Sequence, residues 1–251
     1  MPDAWAMALG ADGLIWLILA VFVAGLVRGF AGFGSAMIIM PVASSVLTPV
    51  EAIIFVICAE LISPLPNAPS AWREGAPREV VVLISGALLA LPIGIWALSA
   101  MDQTLFGWVV SVSVIILLAL TISGWRLKSG LTRPLTVGAG ALGGFMTGFA
   151  GLPGPPVIML YMASKLPVSV IRANFLLYLL ALDLIMFTLL WMLGMMNWTI
   201  AVLGLLVGGP GLLANMMGAR LFDPSKSAVF RKVAYLVIAA SAIVGLPVWK
   251  G

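Results

Sequence analysis

Ten apolar runs follow one another along this chain, separated by short charged or Gly/Pro-rich points. They cover residues 13–31, 34–48, 51–68, 80–100, 105–124, 134–151, 154–164, 168–193, 199–219 and 230–248. Few folds are open to such a chain. Only 9% of its residues are charged, 63% are hydrophobic and the mean hydropathy is +1.19. A soluble domain carries roughly 25% charged residues, so this chain lacks the polar surface to face water. A spanning helix needs about 20 apolar residues, and 251 residues then fill with spans and short loops, leaving no room for a soluble domain. The pattern predicts an all-α polytopic membrane protein in which the second and seventh runs, at 15 and 11 residues, are unusually short.

Several chemistries are excluded by what is missing. There is no histidine, the commonest metal ligand and general base. The single Cys58 permits neither an internal disulfide nor a multi-cysteine metal site. Neither a metal nor a cofactor is therefore expected, and the fourteen methionines read as core filling. The net charge of +4 comes without a basic stripe interleaved with aromatics, so nucleic acid is not an expected partner. The N-terminus, "MPDAWAMALGADG", lacks the basic region of a cleaved signal peptide.

Eleven of the thirteen Lys and Arg lie in alternate loops. They are Arg73 and Arg78, then Arg126, Lys128 and Arg133, then Lys165 and Arg172, then Arg220, Lys226, Arg231 and Lys232. The other loops hold Glu51, Asp102 and Asn197 but no Lys or Arg. If each run reverses the chain, the positive-inside rule puts the basic loops in the cytoplasm and both termini in the periplasm. Eight simple spans, with runs two and seven adding no reversal, would split the basic loops between two sides. Ten full crossings and a pair of re-entrant hairpins (13–48 and 134–164) with six spans fit the rule equally. Most of the nine tryptophans fall near run ends, as interfacial anchors do.

The chain also repeats itself. "GLVRGFAG" at 25–32 and "GFMTGFAG" at 144–151 agree at five of eight positions, 119 apart. At an offset of 118, Pro49-Val50 meets Pro167-Val168, Gly86 meets Gly204 and Pro92 meets Pro210. Two halves of about five segments each follow, 1–125 and 134–251, joined by a linker at 126–133. An odd number of reversals per half makes them inverted repeats, the plan of many secondary transporters, each opening with a Gly/Pro-broken hairpin.

The breaks are "GFAGFGSAMIIMP" from residue 29 and "GFAGLPGPPVIML" from residue 148. Irregular backbone survives at membrane depth only where protein buries it or a wet cavity meets it. Each break precedes a new helix, starting near Ser35 and Pro155, whose first turn has free N–H groups and a partial positive charge. A small oxyanion suits such an end. Candidate substrate contacts are Gly32, Phe33, Gly34 and Ser35 in the first break and Gly151, Gly154 and Pro155 in the second. Pro155 and Pro156 remove two donors, so the breaks need not contribute equally. Gly25-Gly29 and Gly144-Gly148 also have the G-x-x-x-G spacing of helix packing.

Ionisable groups inside spans are costly and point to function. Arg28, beside the first break, can pair with an anion or snorkel to the headgroups. Arg172, with Asn174 and Tyr178 after it, stands at the same level on the eighth run, as an anion contact or as a plain cytoplasmic charge. Glu60 and Asp183, each about midway along a run, are candidates for a coupling ion or for protonated structural acids. Asn67, among Pro64, Pro66 and Pro69, lies at a loosened helix end near the inner mouth.

The two glycine-rich breaks, Pro49-Val50 and Pro167-Val168, "IRANFLLYLLALDL" and "GPGLLANMMGARLFD" together resemble the sulfite exporter TauE/SafE family over nearly the whole chain. The resemblance implies a bacterial inner-membrane carrier, an exporter of sulfite, sulfoacetate or other sulfonates and small organic anions. A homodimer is left open. "GLPGPP" is richer in proline than the family's glycine-dominated form, which bears on the substrate. No P-loop is present, so an ion gradient, of protons, is the expected driver by alternating access. An intramembrane protease is excluded: without His the Ser-His and H-E-x-x-H sites fail, and Asp183 has no aspartate partner within a span. An anion channel or a structural membrane subunit is the remaining alternative.

Overall fold

The computed structural model describes residues 12–123, 132–162, 164, 166–223, 225 and 227–249. Arg126, Lys128, Lys165, Lys226, Trp5, Trp125 and most of the 126–133 linker lie outside the described residues. Among the described residues eleven α-helices follow in order: α1 (Asp12–Ala31), α2 (Ser35–Val46), α3 (Pro49–Leu61), α4 (Ala68–Glu74), α5 (Pro77–Ser99), α6 (Gln103–Ile122), α7 (Arg133–Ala150), α8 (Gly154–Met162), α9 (Val168–Met192), α10 (Trp198–Leu221) and α11 (Ser227–Val244). No strand occurs among the described residues. The chain is an all-helical, multi-pass membrane protein.

Local chemistry sets the helix ends. Proline opens α3 and α5, where its missing N–H costs nothing. The Thr48 N–H donates to Glu51 Oε2 at 3.2 Å, one arm of a capping box. Asp102 and Asn197 cap α6 and α10 through Leu105 N (2.7 Å) and Thr199 N (3.1 Å). The expected single run 51–68 is corrected here. It is broken after Leu61, and the continuation Leu65–Glu74 turns away by 45°. Pro64, Pro66 and Pro69 account for the break.

Among the described residues five helices are long and apolar enough to cross a membrane: α1, α5, α6, α9 and α10. The bent pair of α3 with its continuation makes a sixth. At 1.5 Å per residue α2 rises about 18 Å and α8 about 14 Å, well short of a ~30 Å hydrocarbon core. Neither crosses alone, so ten full crossings do not fit. Instead α1 and α2 form a hairpin whose open ends meet where Gly13 faces Val46.

Small residues set the packing. Gly25 and Gly29 of α1 lie on the backbone of α10 at Gly211 and Asn215, so the two helices run in parallel. In the same way Gly140, Gly144 and Gly148 of α7 lie on Leu83, Ala87 and Leu91 of α5. Any side chain at these positions would strike backbone atoms, and their absence lets the helices approach closely. In these two pairs α1 packs on α10 and α5 on α7, while α3 packs on α10 and α5 on α9. These pairings exchange with one another if the chain is divided near residue 130, a pattern compatible with two related halves.

The loops sort into two ends. Asn197 Nδ2 donates to Glu51 Oε1 (2.9 Å) and Gln103 Nε2 to Leu47 O (3.1 Å), gathering three loops without Lys or Arg. At the other end Ala76 N donates to Asn174 Oδ1 (2.6 Å), and the Phe230 ring packs at a tilt against Phe30 and Phe222. Arg73, Arg78, Arg172, Arg220, Arg231 and Lys232 belong to this basic end. Trp16, Trp72, Trp96, Trp108, Trp191 and Trp198 are all exposed on the protein surface.

Candidate functional site

Both glycine breaks line one narrow cavity. Its walls include Gly32 to Met37 from the first break, Leu152 to Pro155 from the second, and Arg28 and Glu60 from α1 and α3. The central sequence expectation placed the two breaks together, and residues 119 apart do meet here.

The first break works through backbone geometry. Gly32 has φ 81° and Gly34 φ 93°, conformations that cost a residue with Cβ roughly 1–2 kcal/mol. Gly34 caps α2, which starts at Ser35. The N–H groups of Ser35, Ala36 and Met37 stand in the first turn of α2, where no intrahelical acceptor exists, and all three residues line the cavity. The second break is poorer in donors. Gly151, φ 65°, caps the end of α7, with Leu152 N donating back to Met146 O at 3.2 Å, and α8 opens with Gly154, Pro155 and Pro156. Two of its first three positions have no N–H.

Charge enters from the walls. Arg28 Nη1 donates to Glu60 Oε2 at 3.4 Å and to Ser35 Oγ at 3.5 Å. Both contacts are long for hydrogen bonds, whose N···O distances run near 2.7–3.2 Å. The pair is largely buried, with side-chain exposures of 14% and 11%, and Glu60 Oε1 has no hydrogen-bond partner among the described residues. Asp183 of α9, also buried, sits in the field of both Glu60 and Arg28. One guanidinium thus contacts the Glu60 carboxylate and the Ser35 hydroxyl at the start of α2. Among the described residues no group of three or more His, Cys, Asp or Glu could hold a metal ion.

A wider vestibule adjoins the cavity and shares Arg28, Gly32, Phe33, Ile158, Phe175 and Leu179 with it. It extends toward the basic end between α1, α9 and α10, past Asn67, Arg172 and Asn215. Asn215 Nδ2, on α10, donates to Ser63 Oγ in the break after α3 at 2.9 Å.

The expected residues therefore fall into three groups. Arg28, Gly32, Phe33, Gly34, Ser35, Glu60, Gly154 and Pro155 line the cavity, and Arg172 and Asn67 line the vestibule. Gly151, Asn174, Tyr178 and Asp183 line neither. Asn174 is fully buried and holds the α4–α5 turn through Ala76 N and Glu79. Tyr178 is fully buried in the core with its hydroxyl beside Gly143. Sequence reasoning missed Thr121 and Phe175 in the cavity and Asn215 in the vestibule. Of these only Asn215, a lone amide in an apolar run, carried a signal.

A model of the sulfite exporter TauE/SafE family matches residues 17–244. No curated protein and no solved structure matches the chain significantly.

Proposed function

We propose that this chain, which belongs to the sulfite exporter TauE/SafE family, exports small organic or inorganic anions such as sulfite, sulfoacetate or other sulfonates. The family is one of membrane transporters, not enzymes. The carrying observation is the shared cavity: free α2 amides, the Ser35 hydroxyl and the Arg28 guanidinium converge between two irregular backbones. Preorganised amides and a planar guanidinium are what an oxyanion needs.

In this reading transport is by alternating access of two inverted repeats. The swapped pairing of α1 with α10 and of α7 with α5 supports it. In this reading the membrane is the bacterial inner membrane, the basic end is cytoplasmic and both termini are periplasmic, an orientation the loop charges support. The vestibule, with Arg172 and Asn215 on its walls, then gathers anions from the cytoplasm. Coupling runs through Arg28. Glu60 and the anion compete for the same guanidinium, and Glu60 and Asp183 are the coupling-ion sites in this reading.

Reconstitution into proteoliposomes tests this. Labelled sulfoacetate should enter saturably, show counterflow against unlabelled sulfoacetate, and be competed by sulfite and isethionate. Passive, non-saturating electrogenic flux would make the chain a channel. Failure of sulfite, sulfoacetate, taurine and isethionate alike to be moved or to compete would overturn the substrate class.

A further inference from the structure

Gly32 and Gly151 occupy equivalent places in the two "GFAG" stretches, and both are left-handed, with φ 81° and 65°. Their surroundings are opposite. A methyl group at Gly32 would meet nothing within 4 Å, because that face looks into the vestibule. A methyl group at Gly151 would run into Met40 Cε and lie 3.6 Å from Ile53 Cγ1. Met40 and Ile53 are both 0% exposed. One glycine is open toward the basic end, and its counterpart is plugged.

An offset of 118, one less than the 119 between the two glycines, relates their walls. Ile171 and Leu176 line the vestibule, and 118 positions earlier stand Ile53 and Cys58, both fully buried. Arg172 and Asn215 likewise correspond to Ile54 and Ala97. We infer that Met40 and Ile53 form the gate on the side opposite the basic end, and that a path past Ile54 and Cys58 opens to the cavity when they leave Gly151. The inference rests on the alternating-access reading. A gate of this composition is easy to move: an unbranched thioether and an isoleucine leave glycine with no hydrogen bond or ion pair to break. The counterparts of the vestibule's Arg172 and Asn215 are the apolar Ile54 and Ala97, so those two polar groups are not repeated on the second route. Arg28, on the wall of the cavity itself, serves both access states in this inference.

Cys58 is the only cysteine of the chain and is 0% exposed, which makes the unmutated protein its own reporter. Full-length protein in oriented proteoliposomes is treated with a membrane-impermeant thiosulfonate on the side opposite the basic end. Sulfoacetate, which unlike sulfite does not consume the reagent, is either absent or exchanging. Modification of Cys58 should be slow at rest and about tenfold faster during exchange, as for a minor open state raised in population. Met40→Ala should speed it without substrate. Asn215→Cys, resolved from Cys58 by mass spectrometry, should react at rest from the basic side alone. Sulfoacetate exchange with Cys58 inert throughout, or Cys58 equally reactive at rest, overturns the gate and leaves the transport reading standing. No sulfoacetate movement at all overturns that reading and the gate with it.

Discussion

Arg28 is held by two long contacts, 3.4 Å to Glu60 and 3.5 Å to Ser35, and an anion reaching it would complete its hydrogen bonding. Arg28→Lys keeps the charge but loses the planar fork. It should raise the half-saturating sulfoacetate concentration about tenfold, or ~1.4 kcal/mol, in the proteoliposome assay. Arg28→Ala should abolish saturable uptake and also destabilise the protein, because it leaves Glu60 buried without its cation; breaking a buried pair costs about 3–5 kcal/mol. The double variant Arg28→Ala/Glu60→Gln should regain thermal stability in detergent without regaining transport. Glu60→Gln alone should keep sulfoacetate counterflow and lose accumulation driven by a pH gradient. Retained pH-driven accumulation in that variant would remove Glu60 from coupling. Arg28 and Glu60 were legible in the sequence because a charge within an apolar run stands out whatever surrounds it. Asn174 and Tyr178 were legible only as polar residues near Arg172. Helical spacing fixes neighbours on one helix, whereas the partner of Asn174 is a backbone amide 98 residues away.

At the scale of elements, the glycines divide into two kinds with different failure modes. Gly34 holds a left-handed cap and would press a side chain onto Ile238, 3.0 Å away. Gly34→Leu should abolish transport while the protein still inserts. Gly154→Leu, facing Phe175 at 3.1 Å, should also do so by filling the cavity wall. Full activity in both would contradict the site. Gly144→Leu acts elsewhere, on the α7–α5 contact. It should lower the melting temperature in detergent, with about 1–3 kcal/mol lost to overpacking, before it affects the site. The G-x-x-x-G spacing announced such contacts, but spacing does not choose a partner. That α1 takes α10 and α7 takes α5 is a matter of tertiary assembly. The short α2 and α8 were also visible as short apolar runs. Loop charges alone did not decide whether they cross, because a hairpin and a double crossing return the chain to the same side.

The whole molecule is polarised. Its described cations away from Arg28 gather at the end toward which the vestibule extends, while the opposite route is closed by Met40 and Ile53 over Gly151. That asymmetry was not readable from two nearly matching stretches of sequence. A repeat states what the halves share, and the access state lies in how they differ. The central claim concerns where an anion rests. The most direct measurement is the anomalous bromine signal of bromomethanesulfonate bound to crystals of the protein. The account predicts a peak between the first turn of α2 and Gly154, with the sulfonate within reach of Arg28. A bound sulfonate found only on the lipid-facing surface, or remote from both breaks, would contradict it.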